Sequence, residues 1–109
     1  MTHRKKGNKY KNIKTVVDGI TFDSKKEAAR YQELKLMERA KEIYKLELQP
    51  KFPICIEGKK VFEYRADFRY WDGPAGNCIV EDVKGVKTDV YKLKKKCVEA
   101  AYGIEITEV

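Results

Sequence analysis

Two carboxylates and one ammonium group stand on neighbouring candidate strands of this sequence. Asp82 and Lys84 are two residues apart in an apolar-flanked strand, so their side chains project from one face while Val83 packs on the other. Asp67 lies between aromatic residues of the preceding candidate strand. Carboxylates beside an ammonium group on rigid strands could bind a hard divalent cation and stabilise negative charge on a phosphate. The pattern therefore indicates a metal-dependent nuclease site.

The same residues also fit interpretations without chemistry. Asp67 is flanked on its own face by Arg65 and Arg69, and surface ion pairs of this kind are common and weak. Asp82 and Lys84 could equally be a water-exposed pair on one strand face. Only the convergence of the three side chains separates these alternatives from a site.

A third acid begins the first predicted helix, which runs from Asp23 or Ser24 to about residue 40. Ser24 and Glu27 have the spacing of a capping box, in which the glutamate satisfies a backbone N–H at the helix start. Glu27 also shares a helical stripe with Tyr31 and Leu34, which should face the sheet. Both a capping role and a role in the site stay open for Glu27.

Turn residues and alternating apolar positions divide the rest of the chain. The predicted elements are, in order, a hairpin over 15–22, a helix over 23–40, strands over 43–48, 52–57, 61–70 and 78–84, a helix over 88–102 and a strand over 104–109. The final strand, helix and strand imply a parallel pair in an otherwise antiparallel sheet. The predicted fold class is α/β with a mixed (α+β) sheet.

The second predicted helix is amphipathic. Its predicted apolar stripe consists of Val90, Leu93, Cys97 and Ala101. Its polar residues Lys92, Lys95, Lys96 and Glu99 are expected to face away from that stripe.

The charge balance indicates a polyanionic partner. The 109 residues include 24 Lys and Arg against 17 Asp and Glu, for a formal net charge of +7. Residues 1–14 are expected to form a flexible basic arm, and residues 15–109 a single domain. The candidates for nucleic-acid contact are Arg4, Lys5, Lys6, Lys87, Lys92, Lys95 and Lys96. A solubilising tail and a solvated helix face are the alternatives for these residues.

Other classes of site are disfavoured by composition. Three cysteines without a CxxC pair and a single histidine argue against a disulfide framework or a zinc site. The sequence has no apolar stretch near the roughly 20 residues that span a bilayer, and no signal-peptide pattern. A cytoplasmic protein without a membrane partner is expected.

The element order, with an acid on one central strand and Asp-x-Lys on the next, resembles the PD-(D/E)xK nuclease superfamily. Four strings resemble a phage-encoded branch of it known as a domain of unknown function: Ser24-Lys25-Lys26-Glu27-Ala28, Leu48-Gln49-Pro50-Lys51-Phe52, Tyr64-Arg65-Ala66-Asp67-Phe68 and Glu81-Asp82-Val83-Lys84-Gly85. The resemblance covers roughly residues 15–109 and implies a restriction-endonuclease-like core. Ala66 replaces the proline of the superfamily's name, which has no direct chemical task.

The resemblance also implies roles for individual residues. It makes Asp67, Asp82 and the carbonyl of Val83 ligands of Mg²⁺ or Mn²⁺, with Glu27 as an additional helix acid. Lys84 either orients and deprotonates the attacking water or holds the scissile phosphate, and both roles stay open.

The expected function is a metal-dependent DNA endonuclease, selective for branched DNA as Holliday-junction resolvases are, in phage recombination or DNA processing. Gln49 is a candidate accessory residue, because a polar residue points toward the same site in related nucleases. Dimerisation is expected, because so small a chain would need a partner to cut two strands. The alternatives are a non-catalytic nucleic-acid-binding module and a protein-interaction module of a phage particle.

Overall fold

The computed structural model describes residues 13–83 and 87–109, which contain two helices and eight strands. The helices are α1 (Lys25–Arg39) and α2 (Asp89–Tyr102). The strands are β1 (Thr15–Val17), β2 (Ile20–Phe22), β3 (Tyr44–Leu48), β4 (Lys51–Ile56), β5 (Lys59–Arg65), β6 (Phe68–Trp71), β7 (Cys78–Asp82) and β8 (Ile106–Glu108). The predicted basic arm lies outside the described residues, except for its last two positions.

A four-stranded mixed sheet forms the centre, with strand order β3-β6-β7-β8. The pairs β3–β6 and β6–β7 are antiparallel, and β7–β8 is parallel, with α2 connecting the last two strands. The predicted α+β class and its single parallel pair are confirmed. The predicted hairpin is also confirmed, with Asp18 and Gly19 at positive φ of 54° and 75° in a two-residue turn.

The two helices cover opposite faces of the sheet, each over its own hydrophobic core. The α1 core contains Phe22, Ala28, Tyr31, Leu34, Ile43, Phe68 and Tyr70. The α2 core contains Phe52, Ile54, Tyr64, Ala66, Val80, Tyr91, Val98 and Ile106. Alternation along β7 separates the two, because Val80 belongs to the α2 core while Ile79 packs against the α1 core.

Strands β3 to β6 form one long antiparallel ribbon that bends in the middle. In the half that belongs to the central sheet, Leu48 pairs with Phe68. In the outer half, Lys51 pairs with Arg65. The pairing register of the two strands is therefore the same on both sides of the bend. The ribbon therefore keeps its register while it changes direction.

The bend interrupts the strand predicted over residues 61–70, and that prediction was wrong at its centre. Gln49 has a φ of 53°, in the left-handed region, and Pro50 has no N–H to donate to the ladder. Two backbone hydrogen bonds still hold the ribbon together, from the Gln49 N–H to the Asp67 carbonyl at 2.9 Å and from the Ala66 N–H to the Pro50 carbonyl at 3.1 Å. Asp67 consequently lies at the bend rather than inside a regular strand.

The predicted apolar stripe of α2 was wrong. Val90 and Leu93 are 61% and 62% exposed, whereas Tyr91 and Val98 are buried. The inward face instead contains Tyr91 and Val98, with the half-buried Lys94 beside them, and none of the three belonged to the predicted stripe. Tyr91 packs against Tyr64, with ring centroids 6.4 Å apart, and Lys94 lies over the Phe62 ring.

Replacing Val98 by Ala should lower the free energy of unfolding by about 2 kcal/mol, since it removes buried methyl groups and leaves a cavity. The larger truncation Leu93→Ala on the exposed face should change it by less than about 0.5 kcal/mol. Urea unfolding of both variants measures the difference. An equal loss for both would show that α2 is rotated from the orientation described.

Candidate functional site

Asp67 is fixed at the bend of the ribbon by two neighbouring segments, one at Gln49 and one at the end of β7. Its carbonyl accepts from Gln49, and its N–H donates to the Glu81 carbonyl at 3.1 Å. Its carboxylate oxygen Oδ2 accepts from the Val83 N–H at 2.7 Å. The side chain is half-buried, so the carboxylate is held in place by backbone groups while part of it remains accessible.

Glu27 reaches Asp67 from the first turn of α1. Ser24 caps the helix by accepting from the Glu27 N–H at 3.1 Å, which confirms the predicted N-terminus. The Glu27 side chain is only 5% exposed and lies with Ala28, Tyr31 and Leu34 on the buried stripe, as predicted. Its carboxyl group lies within hydrogen-bonding reach of the Asp67 carboxyl group and of the Asp23 backbone N–H. Glu27 thus has both local backbone contact and contact with the second acid.

The electrostatics of this acid pair are unfavourable to two negative charges. Burial, followed by the charge of Asp67, raises the pKa of Glu27 from 4.5 to about 7. The shared hydrogen bond with Asp67 raises it further, because that bond needs a proton on one of the two groups. Glu27 is therefore about half protonated at neutral pH unless a cation balances the charge of the pair.

The raised pKa of Glu27 predicts an unusual stability change for Glu27→Gln. The native state binds the proton more tightly than the unfolded chain, so its contribution to stability is present below pH 4.5 and is lost as pH rises through about 7. In EDTA at pH 8.5 the glutamine variant should be more stable than the wild type by roughly 2–3 kcal/mol, with little difference at pH 4.5. Urea unfolding at the two pH values measures this.

The control is Glu33→Gln, an exposed acid on the same helix whose side chain is 65% accessible. It should show no comparable gain at high pH. A Glu27→Gln variant that loses stability at pH 8.5 would mean that the two carboxyl groups do not repel one another in solution.

Asp82 is the last residue of β7, and its ligation of a metal ion stays a prediction. It is fully buried on the Val80 face of β7, where the Tyr64 hydroxyl donates to its Oδ2. Its charge also contributes to the raised pKa of Tyr91, after burial and the hydrogen bond of Tyr91 to Glu108. Within residues 13–83 and 87–109, no group of three or more His, Cys, Asp and Glu residues is placed to hold a metal ion.

Three further members of the predicted site are described only in part or not at all. Val83 packs against the α1 core and contributes its N–H to Asp67, while ligation by its carbonyl stays a prediction. Lys84 lies outside the described residues. Gln49 contacts Asp67 through its backbone at the bend, and a role for its exposed side chain stays a prediction.

Glu81 is the acid whose importance the sequence did not reveal. It is 1% exposed on the α1 side of β7, and Arg30 binds it in a fork, with Nε and Nη2 donating at 2.8 and 2.6 Å. The Tyr70 hydroxyl also donates to it. The signal was available in the alternation of β7, which puts Glu81 with Ile79 and Val83 on an apolar face.

The predicted basic contacts are partly engaged within the protein. Lys87 pairs with Glu108 at 3.0 Å, and Lys95 pairs with Glu99 at 3.2 Å. Lys95 is half-buried beside Glu99, and its contact with nucleic acid stays a prediction. Lys92 and Lys96 are exposed, as predicted, and Arg4, Lys5 and Lys6 lie outside the described residues.

The donor chemistry of the acid pair fits a hard divalent cation. Glu27 and Asp67 provide two carboxylates, and Mg²⁺ commonly binds through one or two carboxylates while it retains waters. A cation would also replace the proton that Glu27 otherwise holds in about half of the molecules at neutral pH. Glu27 and Asp67 are therefore the residues that would hold a metal ion.

The fold and the acid pair define a small α+β domain with a candidate cation site between a helix and a bent ribbon. A family model described as "Protein of unknown function (DUF1064)" matches residues 7–107, and the chain belongs to this family. Searches of curated proteins and of solved structures gave no match. Among the described residues, no helix is long and apolar enough to cross a membrane.

Proposed function

We propose that this protein is a Mg²⁺- or Mn²⁺-dependent DNA endonuclease related to the PD-(D/E)xK superfamily, with Glu27 and Asp67 at the metal. The observation that supports this most strongly is the contact between two carboxyl groups, one from the first helix and one from the bend of the ribbon, beside the strand that leads into Asp-x-Lys. The net charge of +7 favours a polyanionic substrate.

Each residue has a defined task in this proposal. A bound divalent cation supplies Lewis-acid stabilisation of the phosphate and lowers the pKa of a water molecule. Glu27 and Asp67 bind the cation, and the Val83 N–H keeps Asp67 oriented. Lys84 remains the candidate for the scissile phosphate on sequence grounds, because an ammonium near carboxylates stays charged and stabilises negative charge. Asp82, which accepts a hydrogen bond from the Tyr64 hydroxyl, remains a candidate metal ligand on sequence grounds.

The substrate to test first is branched DNA. Similarity of the sequence motifs to those of Holliday-junction resolvases favours a four-way junction, and phage recombination or DNA processing in the bacterial cytoplasm would use such an activity. Cutting two strands at a branch favours a homodimer.

A non-catalytic nucleic-acid-binding module is the second candidate. It is favoured by the absence of a three-acid cluster among the described residues and by the placement of Asp82 in the α2 core. In this alternative the exposed lysines bind DNA without any cleavage.

Cleavage assays separate the two candidates. Linear duplex, single-stranded and four-way-junction DNA are incubated with the wild type in Mg²⁺, Mn²⁺ or EDTA, and melting temperature is measured in the same buffers. The nuclease proposal expects metal-dependent cutting of at least one substrate, and a rise in melting temperature with metal that Glu27→Gln lacks. Binding without cutting on any substrate, with no metal-dependent rise, supports the binding module.

A further inference from the structure

Two like charges oppose one another on the outer half of the ribbon, just beyond the bend. Lys51 on β4 is the direct cross-strand partner of Arg65 on β5. Both side chains are exposed, while their neighbours Phe52 and Tyr64 point into the α2 core. Like charges directly opposite on a sheet are destabilising, so this pairing weakens the ribbon in the isolated protein.

No acid among the described residues forms an ion pair that relieves this repulsion. Within residues 13–83 and 87–109, neither Lys51 nor Arg65 forms an ion pair. Glu63, two residues before Arg65 on the same ribbon face, pairs with Lys60 at 3.2 Å, and Asp67, two residues after Arg65, accepts from the Val83 N–H. The other arginine of the ribbon, Arg69, is neutralised by Glu47 at 2.7 Å. Lys51 and Arg65 thus form a compact cationic pair that is available to an anion.

The twist of the ribbon determines the side of the central sheet toward which Lys51 and Arg65 project. Alternation puts Phe68 and Tyr64 on the same ribbon face, yet Phe68 packs in the α1 core and Tyr64 in the α2 core. This face therefore turns from the α1 side of the central sheet to the α2 side across the bend. The opposite face, which carries Lys51 and Arg65, turns toward the α1 side.

The cationic pair and the acid pair consequently open on the same side of the sheet. Glu27 belongs to α1 and meets Asp67 at the bend, and Arg65 precedes Asp67 by two residues, or about 7 Å of strand. We propose that Lys51 and Arg65 bind backbone phosphates of the DNA strand that crosses the acid pair. This assignment rests on the proposed nuclease function, and it adds a phosphate-binding subsite that holds the strand next to the cleaved bond.

The subsite has a specific binding signature. A side chain that neutralises one phosphate contributes about one to the slope of log affinity against log salt concentration. Lys51→Gln and Arg65→Gln should each reduce the slope by about one, and the double variant by about two. Neither variant should lower the melting temperature, since each removes a repulsive contact.

The test is fluorescence anisotropy of a labelled DNA duplex titrated with the full chain in EDTA, from low to moderate salt. Lys59→Gln is the matched control, because Lys59 is an exposed lysine at the far end of the same ribbon and its removal changes net charge equally. The subsite predicts an unchanged slope for this control. Equal slope changes for all three single variants, or no salt-dependent binding by the wild type, overturn the assignment.

This outcome is independent of cleavage. If the wild type cuts DNA with Mg²⁺ while the Lys51 and Arg65 variants keep the wild-type slope, the subsite is wrong and the nuclease stands. If the slopes fall as expected but no substrate is cut under any metal condition, the subsite stands as a DNA-binding surface and the nuclease proposal fails.

Discussion

Replacing Asp67 by Asn should reduce metal-dependent DNA cleavage at least about a thousandfold, because Lewis-acid stabilisation of the reacting phosphate is worth several kcal/mol and about 1.4 kcal/mol corresponds to a factor of ten. Asn keeps an oxygen that can accept from the Val83 N–H, so the ribbon bend should survive the change. Initial rates on the preferred substrate, at saturating Mg²⁺ and again with Mn²⁺, measure the loss.

Glu33→Gln is the control for cleavage, because it neutralises an exposed acid on α1 without touching the acid pair. It should retain wild-type rates. If Asp67→Asn cuts DNA as fast as this control, the activity comes from elsewhere and the proposed site is wrong. Asp82→Asn tests whether the main role of Asp82 is its contact with Tyr64. If so, the variant should lose stability but keep the metal-dependent rise in melting temperature.

Truncating Glu81 to Ala should lower the free energy of unfolding by about 3–5 kcal/mol, because it leaves Arg30 without its buried partner. The Arg30 side chain is 25% exposed and that of Glu81 only 2%, so little water can compensate for the lost fork. The Tyr70 hydroxyl loses its acceptor as well. Equilibrium urea unfolding, fitted with the slope of the transition left free, provides the measurement.

The matched comparison is Glu33→Ala, which removes the other acid that Arg30 contacts. That pair, at 3.1 Å, is on the surface and should contribute less than about 1 kcal/mol. A Glu81→Ala variant as stable as Glu33→Ala would show that Arg30 and Glu81 do not form a buried pair in solution.

Local patterns were sufficient to predict most elements of the fold. The capping serine, the Asp18-Gly19 turn and the alternation of the strands specify backbone geometry through neighbouring residues alone. The rotation of α2 could not be obtained this way, because burial of Tyr91 depends on Tyr64 and Glu108, which are distant in sequence.

The candidate site was predictable only where sequence periodicity and tertiary position agree. Glu27 was found because its stripe faces the sheet, and Asp67 because it separates aromatic residues. The different surroundings of Glu81 and Asp82 were missed for a physical reason. Adjacent strand residues face opposite layers, and only the packed helices determine which layer contains Arg30 and which contains Tyr64.

The bent ribbon also bears on the order of folding. Its strands are joined by a two-residue turn at Glu57 and Gly58, and hairpins with short turns form within about 1–10 μs. The contact between Glu27 and Asp67 requires a docked helix and is non-local, so the ribbon is expected to precede it. Repulsion between the two acids should then raise the unfolding rate and leave the folding rate unaffected. Stopped-flow unfolding of Glu27→Gln in EDTA at pH 8.5, where Glu27 is ionised in the wild type, should accordingly be slower than that of the wild type, and an unchanged unfolding rate would contradict this order.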